Sequence, residues 1–299
     1  MTIAIHPVHD LFVAEVTGVQ CGNVDEPSFL EIRSAFEEYS VLIFRDQTIT
    51  DEDQIAFSTR FGPLQKTAKA NPGVGTYFAR QSNLDVNTNE VMPSDDRRML
   101  HQKANFLWHS DSSYRTVPAL CSLLSARLLP PEGGNTEFAT MRAPYTDLTR
   151  EQKEALYGLE AEHSLAHSRS LVDSRALTQE MINELPPARQ PLFRVNPVNG
   201  RRAVYAGSHA SHIVGWPIDQ GKKFIQDLNQ LITRDKYVYS HPWRTGDMVL
   251  WDNRAVLHRA TPYDAVKYKR VMLRTTSEDQ EAQYLQERVH AKIAATSIF

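Results

Sequence analysis

Apolar residues recur at helical spacing between residues 25 and 39, at Phe29, Leu30, Ile32, Phe36 and Tyr39, with Pro27 near the start, where its missing N–H is harmless. Residues 41–44, Val-Leu-Ile-Phe, form a continuous apolar run that reads as a buried strand. Thr50 with Asp53 three residues on makes an acidic variant of the capping box, and Gly62-Pro63 supplies a stop, so a helix is predicted over 51–61. Further along, 149–159, 177–185 and the amphipathic stretch 218–233 predict helices, with 161–171 separating the first two. Strands are predicted over 119–129, 202–206, 237–243 and 247–251.

Short strands dominate the second half, and the pattern predicts a mainly β fold with flanking helices, a double-stranded β-helix or jelly-roll core. No internal repeat or low-complexity linker divides the 299 residues, so one domain over 1–299 is expected. Residues 65–106 have mixed polarity and few apolar runs, which in a compact domain marks a functional loop, here a lid over the site. Lys66, Lys69, His101 and Lys103 carry positive charge in that stretch, although a solvated surface role also fits each. Over 277–299, Tyr284, Leu285, Val289 and Ile293 keep helical spacing, predicting a C-terminal helical extension docked on the body or on another copy in a homo-oligomer.

Thirty-three basic against 36 acidic residues give a formal charge of −3, which argues against a nucleic-acid partner held by bulk positive charge and favours a small-molecule one. The two cysteines, Cys21 and Cys121, support neither a disulfide scaffold nor a cysteine-rich zinc site. The first seven residues lack a charged segment leading into a long apolar one, and no stretch reaches roughly 18 apolar residues. No membrane partner and a cytoplasmic location are the expectation.

The chemistry concentrates in three places. His109-Ser110-Asp111 is an H-x-D pair that an extended segment would point to one side, and a distant His258 would complete a two-histidine, one-carboxylate set. Alone, such a pair is weak among 11 histidines. Arg270 and Arg274 lie four apart in a β-rich run, so both guanidinium groups would face one way. Buried together they would call for anions; on a solvated edge strand they would pair with surface carboxylates. Gly133-Gly134-Asn135-Thr136 makes a turn whose Thr136 opens the next strand with a hydroxyl for a carboxylate oxygen, and it also fits an ordinary hairpin.

Together with Trp108-His109-Ser110-Asp111-Ser112-Ser113 and Trp251-Asp252-Asn253-Arg254 leading to His258, these elements resemble the taurine/2,4-dichlorophenoxyacetate dioxygenase family. The resemblance runs from about Val13 to Thr276, and residues 122–126, 135–138, 141–143, 161–164 and 208–212 look nearest the phenoxyacetate branch. It implies an enzyme using Fe(II), 2-oxoglutarate and O2, with ascorbate as reductant in vitro. It further implies that His109, Asp111 and His258 bind iron and carry catalysis, and that Thr136 and Arg270 hold the distal carboxylate of 2-oxoglutarate, with Asn105 and Trp251 lining that pocket. Arg274 would meet the anionic end of the substrate, with Ser112 nearby. Asp111 is present where a halogenase of this chemistry would carry Ala or Gly.

The reaction implied is hydroxylation of a small anionic substrate, an aryloxyalkanoate-like acid whose ether is cleaved once the adjacent carbon is hydroxylated. Kept beside it are a biosynthetic oxygenase of the same fold ending in desaturation, epimerisation or ring formation, a taurine, alkylsulfonate or sulfate-ester dioxygenase, and a sensor that binds metal and oxoglutarate without turnover. His163-x3-His167 and His209-x2-His212 are competing histidine pairs; neither carries the glutamate of a zinc-peptidase motif, and both fit structural histidines better.

Overall fold

A computed structural model describes residues 3–67 and 76–281, the side chain of Ser174 excepted. Lys69 and the C-terminal residues Tyr284, Leu285, Val289 and Ile293 lie outside the described residues.

The core is built on a seven-stranded sheet in the order Ala4–His9, Val13–Thr17, Val41–Phe44, Met248–Asp252, Ala119–Leu128, Val271–Glu278, Ala79–Ser82. Val13–Thr17 runs parallel to Val41–Phe44, and every other pairing is antiparallel. The run Val41–Phe44 is apolar throughout because both faces are covered. Leu42 and Phe44 face a layer containing Phe29, Ile32, Phe36, Phe57 and Phe61, while Val41 and Ile43 face inward onto Val249, Trp251 and Phe138.

The opposing sheet has the order Val238–His241, Thr136–Thr140, Val256–Ala260, and His109 adds a single bridge to its edge against His258. Phe138 and Val256 close the space between the sheets, and Ala139 and Leu257 pack on the other side against Leu192, Tyr205, Ile225 and Ile232. Two facing sheets with helices outside form the expected jelly roll.

Local chemistry explains the helix ends. Asp25 accepts from the Ser28 N–H at 2.8 Å and opens Glu26–Tyr39, and Ser40 closes it in the left-handed region, φ 70°. Thr50 and Asp53 form the reciprocal capping box of Asp51–Thr59, which stops two residues before the expected end. Arg150–Leu156 carries a second box between Thr149 and Gln152 and is likewise shorter than its periodicity predicts.

The segment 161–171 is no plain connector: it contains most of the strand Glu160–His163 and all of the helix Leu165–Ser170, capped by Ser164. Within 65–106 stand the strand Ala79–Ser82 and the helix Arg97–Lys103, so the described part of this stretch holds more regular structure than its polarity predicts. The H-x-D segment is extended only at His109. At Asp111 the chain enters a turn, and Ser112 adopts φ 53°, because the Asp111 N–H is held by Asn253 Oδ1 at 3.1 Å.

Candidate active site

His109 and His258 face each other across the bridge at the edge of the smaller sheet, with backbone hydrogen bonds of 3.0 and 2.8 Å. His109 Nε2 lies 3.9 Å from Asp111 Oδ1 and His258 Nε2 lies 3.7 Å from Asp111 Oδ2. One donor atom from each of the three residues falls within 4.8 Å of the others, the sole such cluster of His, Cys, Asp and Glu among the described residues.

The protonation states suit a cation. Burial pulls the His109 imidazole down to about 4 and His258 well below its ordinary value. Burial also pushes the Asp111 carboxyl up, but Arg274 and then the two histidines outweigh it and hold it at about 2. His109 Nδ1 donates to the Leu107 carbonyl at 2.7 Å, which leaves the Nε2 lone pair facing Asp111. Two neutral imidazoles and an ionised carboxylate are the donor set that non-haem iron takes, so these residues fit the ion.

Around them lies a polar frame that pattern reading did not single out. Asn253 accepts from the Asp111 N–H and from Trp251 Nε1 at 3.0 Å, and gives its amide to Ser122 Oγ at 3.0 Å. Ser122 in turn donates to Asp111 Oδ2 at 2.7 Å. Asn253 stands two residues after Trp251 in the run leading to His258, and that was the one available signal.

Two cavities meet at the cluster. One, of about 250 Å³, is lined by Asn105, Thr136, Trp251, His258, Arg270 and Arg274, among others. Arg270 is buried without a carboxylate partner among the described residues; its Nη2 gives one bond to the Gly134 carbonyl at 3.2 Å. Gly133 must be glycine, since at φ 73° an added Cβ would meet the Pro262 carbonyl oxygen at 2.8 Å. The turn leads into Thr136, which lines this cavity together with Arg270. Thr136 Oγ1 accepts from Trp243 Nε1 at 3.0 Å, and since an indole only donates, the hydroxyl proton stays free for an anion. Trp251 is fully buried with its N–H committed to Asn253, so it contributes a ring face, 4.7 Å from the His258 ring. Asn105 donates to Gln81 at 2.8 Å.

The second cavity, about 150 Å³, is lined by Asp111, Ser112, Tyr114, Arg169, His209 and Arg274, among others. Ser112 Oγ is engaged by Gln65 Oε1 at 2.7 Å. Arg274 borders both cavities and pairs through Nη1 with Asp111. From the stretch 65–106, Lys103 lines the first cavity and His101 the second. His163 ends a strand and His167 sits in the following helix, so that pair shares no helix face; His209 lines the second cavity, and His212 bonds Ser211 at 2.8 Å.

The chain is 38% identical over 282 residues to the alpha-ketoglutarate-dependent 2,4-dichlorophenoxyacetate dioxygenase of Burkholderia sp. (strain RASC), covering 92% of this chain and 95% of the relative. It is 36% identical over 275 residues to the (S)-phenoxypropionate/alpha-ketoglutarate-dioxygenase of Sphingobium herbicidovorans, covering 90% and 92%. The crystal structure of AAD-2 in complex with Mn(II) and N-oxalylglycine superposes with a TM-score of 0.86 at 39% identity, over 94% of this chain and 98% of that one. The profile of the taurine catabolism dioxygenase TauD, TfdA family matches residues 4–276, and the chain belongs to that family.

Proposed function

We propose that this Fe(II)- and 2-oxoglutarate-dependent dioxygenase hydroxylates small aryloxyalkanoate acids at the carbon next to the ether oxygen, after which the hemiacetal collapses to a phenol and a carbonyl acid. The observation that carries the reading is the pair of cavities meeting at His109, Asp111 and His258, one with an unpaired arginine beside a free threonine hydroxyl, the other with cations and apolar side chains. The relatives named for dichlorophenoxyacetate and phenoxypropionate support the substrate class.

His109, Asp111 and His258 would hold the iron, which with 2-oxoglutarate supplies oxygen activation: O2 gives one atom to succinate, released with carbon dioxide, and one to the substrate C–H bond. Arg270 and Thr136 hold the distal oxoglutarate carboxylate, a bidentate guanidinium and a hydroxyl donor in a site away from bulk water. Trp251 and Asn105 bound that site. Arg274 orients the substrate's acid group, with Ser112 at the chamber wall, and this positioning sets which carbon faces the metal. Residues of 65–106, among them Gln81, Met99 and Phe106, form a lid over the first cavity.

Succinate release with Fe(II), ascorbate and 2-oxoglutarate tests the reading, screened over phenoxyacetate, 2-phenoxypropanoate, taurine and alkyl sulfates with His109→Ala as control. Stimulation by the aryloxy acids, with phenol formed in equal amount and lost in the variant, is expected. Stimulation by taurine or sulfate esters alone would replace the substrate class. Oxoglutarate binding with no stimulated turnover by any acid would point to a sensor or a biosynthetic substrate.

A further inference from the structure

Arg169 comes from the helix Leu165–Ser170 and is only 8% exposed, yet no carboxylate meets it among the described residues. Its contacts are two approaches to the His101 ring, Nε at 3.4 Å from Nδ1 and Nη2 at 3.3 Å from Nε2. One His101 nitrogen is hydrogen-bonded to the Ala176 backbone, and burial pulls the ring down to about 3, so His101 is neutral and has one lone pair to offer. A guanidinium presents five donors in a planar fork. Most of the Arg169 fork therefore has no acceptor among the described residues, a costly state for a buried charge.

That fork lines the second cavity, on the Asp111 side of the metal cluster. Arg80, also without a carboxylate partner among the described residues, lines it too, and Arg274 joins from the strand Val271–Glu278. Among the described residues Asp111 is the sole carboxylate in the lining, whereas Arg98 is already engaged by Asp85 and Asp96 at 2.6 and 2.8 Å. Residues 68–75, next along the chain from Thr67, contain no acid in the sequence. The rest of the wall includes Leu84, Val86 and Met92. The chamber wall thus combines arginines from three separate elements with apolar side chains.

We propose that this second cavity is the substrate chamber and that Arg169 is a specificity residue in it, gripping the substrate's oxyanion together with Arg274. The proposal deepens the functional reading above and rests on it for the identity of the acid, but not for the chemistry of the grip. The ligand class is a compact oxyanion, a carboxylate, sulfonate or sulfate, on an apolar body. Arg274 faces both cavities and leans on Asp111, so it cannot alone separate a substrate acid from oxoglutarate. Arg169 borders only the second cavity and makes that distinction.

The experiment is calorimetric binding of phenoxyacetate, phenoxyacetamide and inorganic sulfate to the protein loaded with Mn(II) and N-oxalylglycine, in the wild type, Arg169→Gln and Arg169→Lys. Expected are binding of the acid over the amide in the wild type, at least ten-fold weaker acid binding in Arg169→Gln, partial recovery in Arg169→Lys, and unchanged N-oxalylglycine affinity in all three. Wild-type affinity for acid and sulfate in Arg169→Gln, or equal weakening of N-oxalylglycine, would overturn the proposal by leaving Arg169 a helix-pinning residue. Sulfate binding lost in Arg169→Gln while phenoxyacetate binds neither protein would keep the anion grip and reject the aryloxy acid. No binding of either anion to the wild type would reject the grip itself. If Arg169→Gln does not fold, hydrogen exchange on the wild type decides: phenoxyacetate should protect the helix Leu165–Ser170 and phenoxyacetamide should not, and equal protection by both overturns the proposal.

Discussion

His109 and His258 exchange both of their backbone hydrogen bonds and bring their ring centroids to 4.2 Å, so two residues far apart in sequence form one hydrogen-bonded antiparallel pair. The site's geometry is therefore as good as that bridge, and the bridge is packed against Gly207. At φ 110° Gly207 occupies backbone space that side-chain-bearing residues rarely enter, and a Cβ there would sit 3.0 Å from Leu257 Cδ2 and 3.4 Å from both His109 Cα and the Trp108 carbonyl oxygen.

Gly207→Ala should accordingly destabilise the fold by about 1–3 kcal/mol through backbone strain and shift the His109 main chain. Urea unfolding and Mn(II) titration check this together. A variant with wild-type stability and metal affinity would show that the bridge is not held from this side.

Asn253 ties the Asp111 backbone, the Trp251 indole and Ser122 into one network, and Ser122 fixes the Asp111 oxygen facing His258. Removing such supports costs on the order of 10–100-fold in metal affinity. Asn253→Ala and Ser122→Ala are both expected in that range, read by competition of Mn(II) with a chromophoric chelator. Unchanged affinity in both would mean that Asp111 is positioned by Arg274 alone.

Trp243 Nε1 donates to one lone pair of the Thr136 hydroxyl, which orients it and leaves its proton to an anion. Trp243→Phe keeps the ring and removes the donor. It should weaken N-oxalylglycine binding several-fold, roughly as one lost hydrogen bond of about 1 kcal/mol, with Thr136→Val losing at least as much. Identical affinities in wild type and Trp243→Phe would remove Trp243 from the site.

Arg270 borders only the first cavity, whereas Arg274 borders both. Arg270→Ala should therefore raise the KM for oxoglutarate by about two orders of magnitude, as loss of a buried charged pair implies, with a smaller change for the acid substrate. Arg274→Ala should raise the KM for the acid substrate more than that for oxoglutarate, with some effect on both because Arg274 borders both cavities. Equal effects of both substitutions on both KM values would dissolve the division of labour.

Much of this arrangement was legible in the chain because it is written in local terms. The capping box at Thr50 and Asp53, the all-apolar run Val41–Phe44 and the turn Gly133-Gly134 before Thr136 each carry their own signal, and the family motifs mark His109, Asp111, His258, Arg270 and Arg274. What escaped depends on long-range placement. Nothing near Trp243 indicates that it faces Thr136, since strand Val238–His241 must first pair with Thr136–Thr140. Arg169 lies in a helix of six residues, too short for periodicity to reveal, and its solitude is a property of the cavity. Turn formation at Asp111 overrode the extended H-x-D reading because Asn253, directly after the strand Met248–Asp252, captures its N–H.

His163 offers a test of the fold that is independent of the metal. It is fully buried, donates to or accepts from Ser113 Oγ at 3.0 Å, and stacks on Tyr205 with centroids 5.4 Å apart. Burial, with Arg194 adding to it, pulls the ring down to about 3 from the ordinary 6.5. The folded state thus resists a proton that the unfolded chain accepts, so the contribution is full above pH 6.5 and falls as pH drops from 6.5 towards 3. Between pH 7.5 and pH 5 this one residue should remove roughly 2 kcal/mol of stability. His163→Gln lowers stability at pH 7.5 but lacks the titrating group, so its urea midpoint should fall less over the same interval. The other buried histidines held below their ordinary values, His101, His109, His209, His241 and His258 among them, contribute to the slope that remains. An identical pH slope in wild type and variant would mean that His163 titrates alike in the folded and unfolded chain, and that its burial is not what sets the acid limit of this fold.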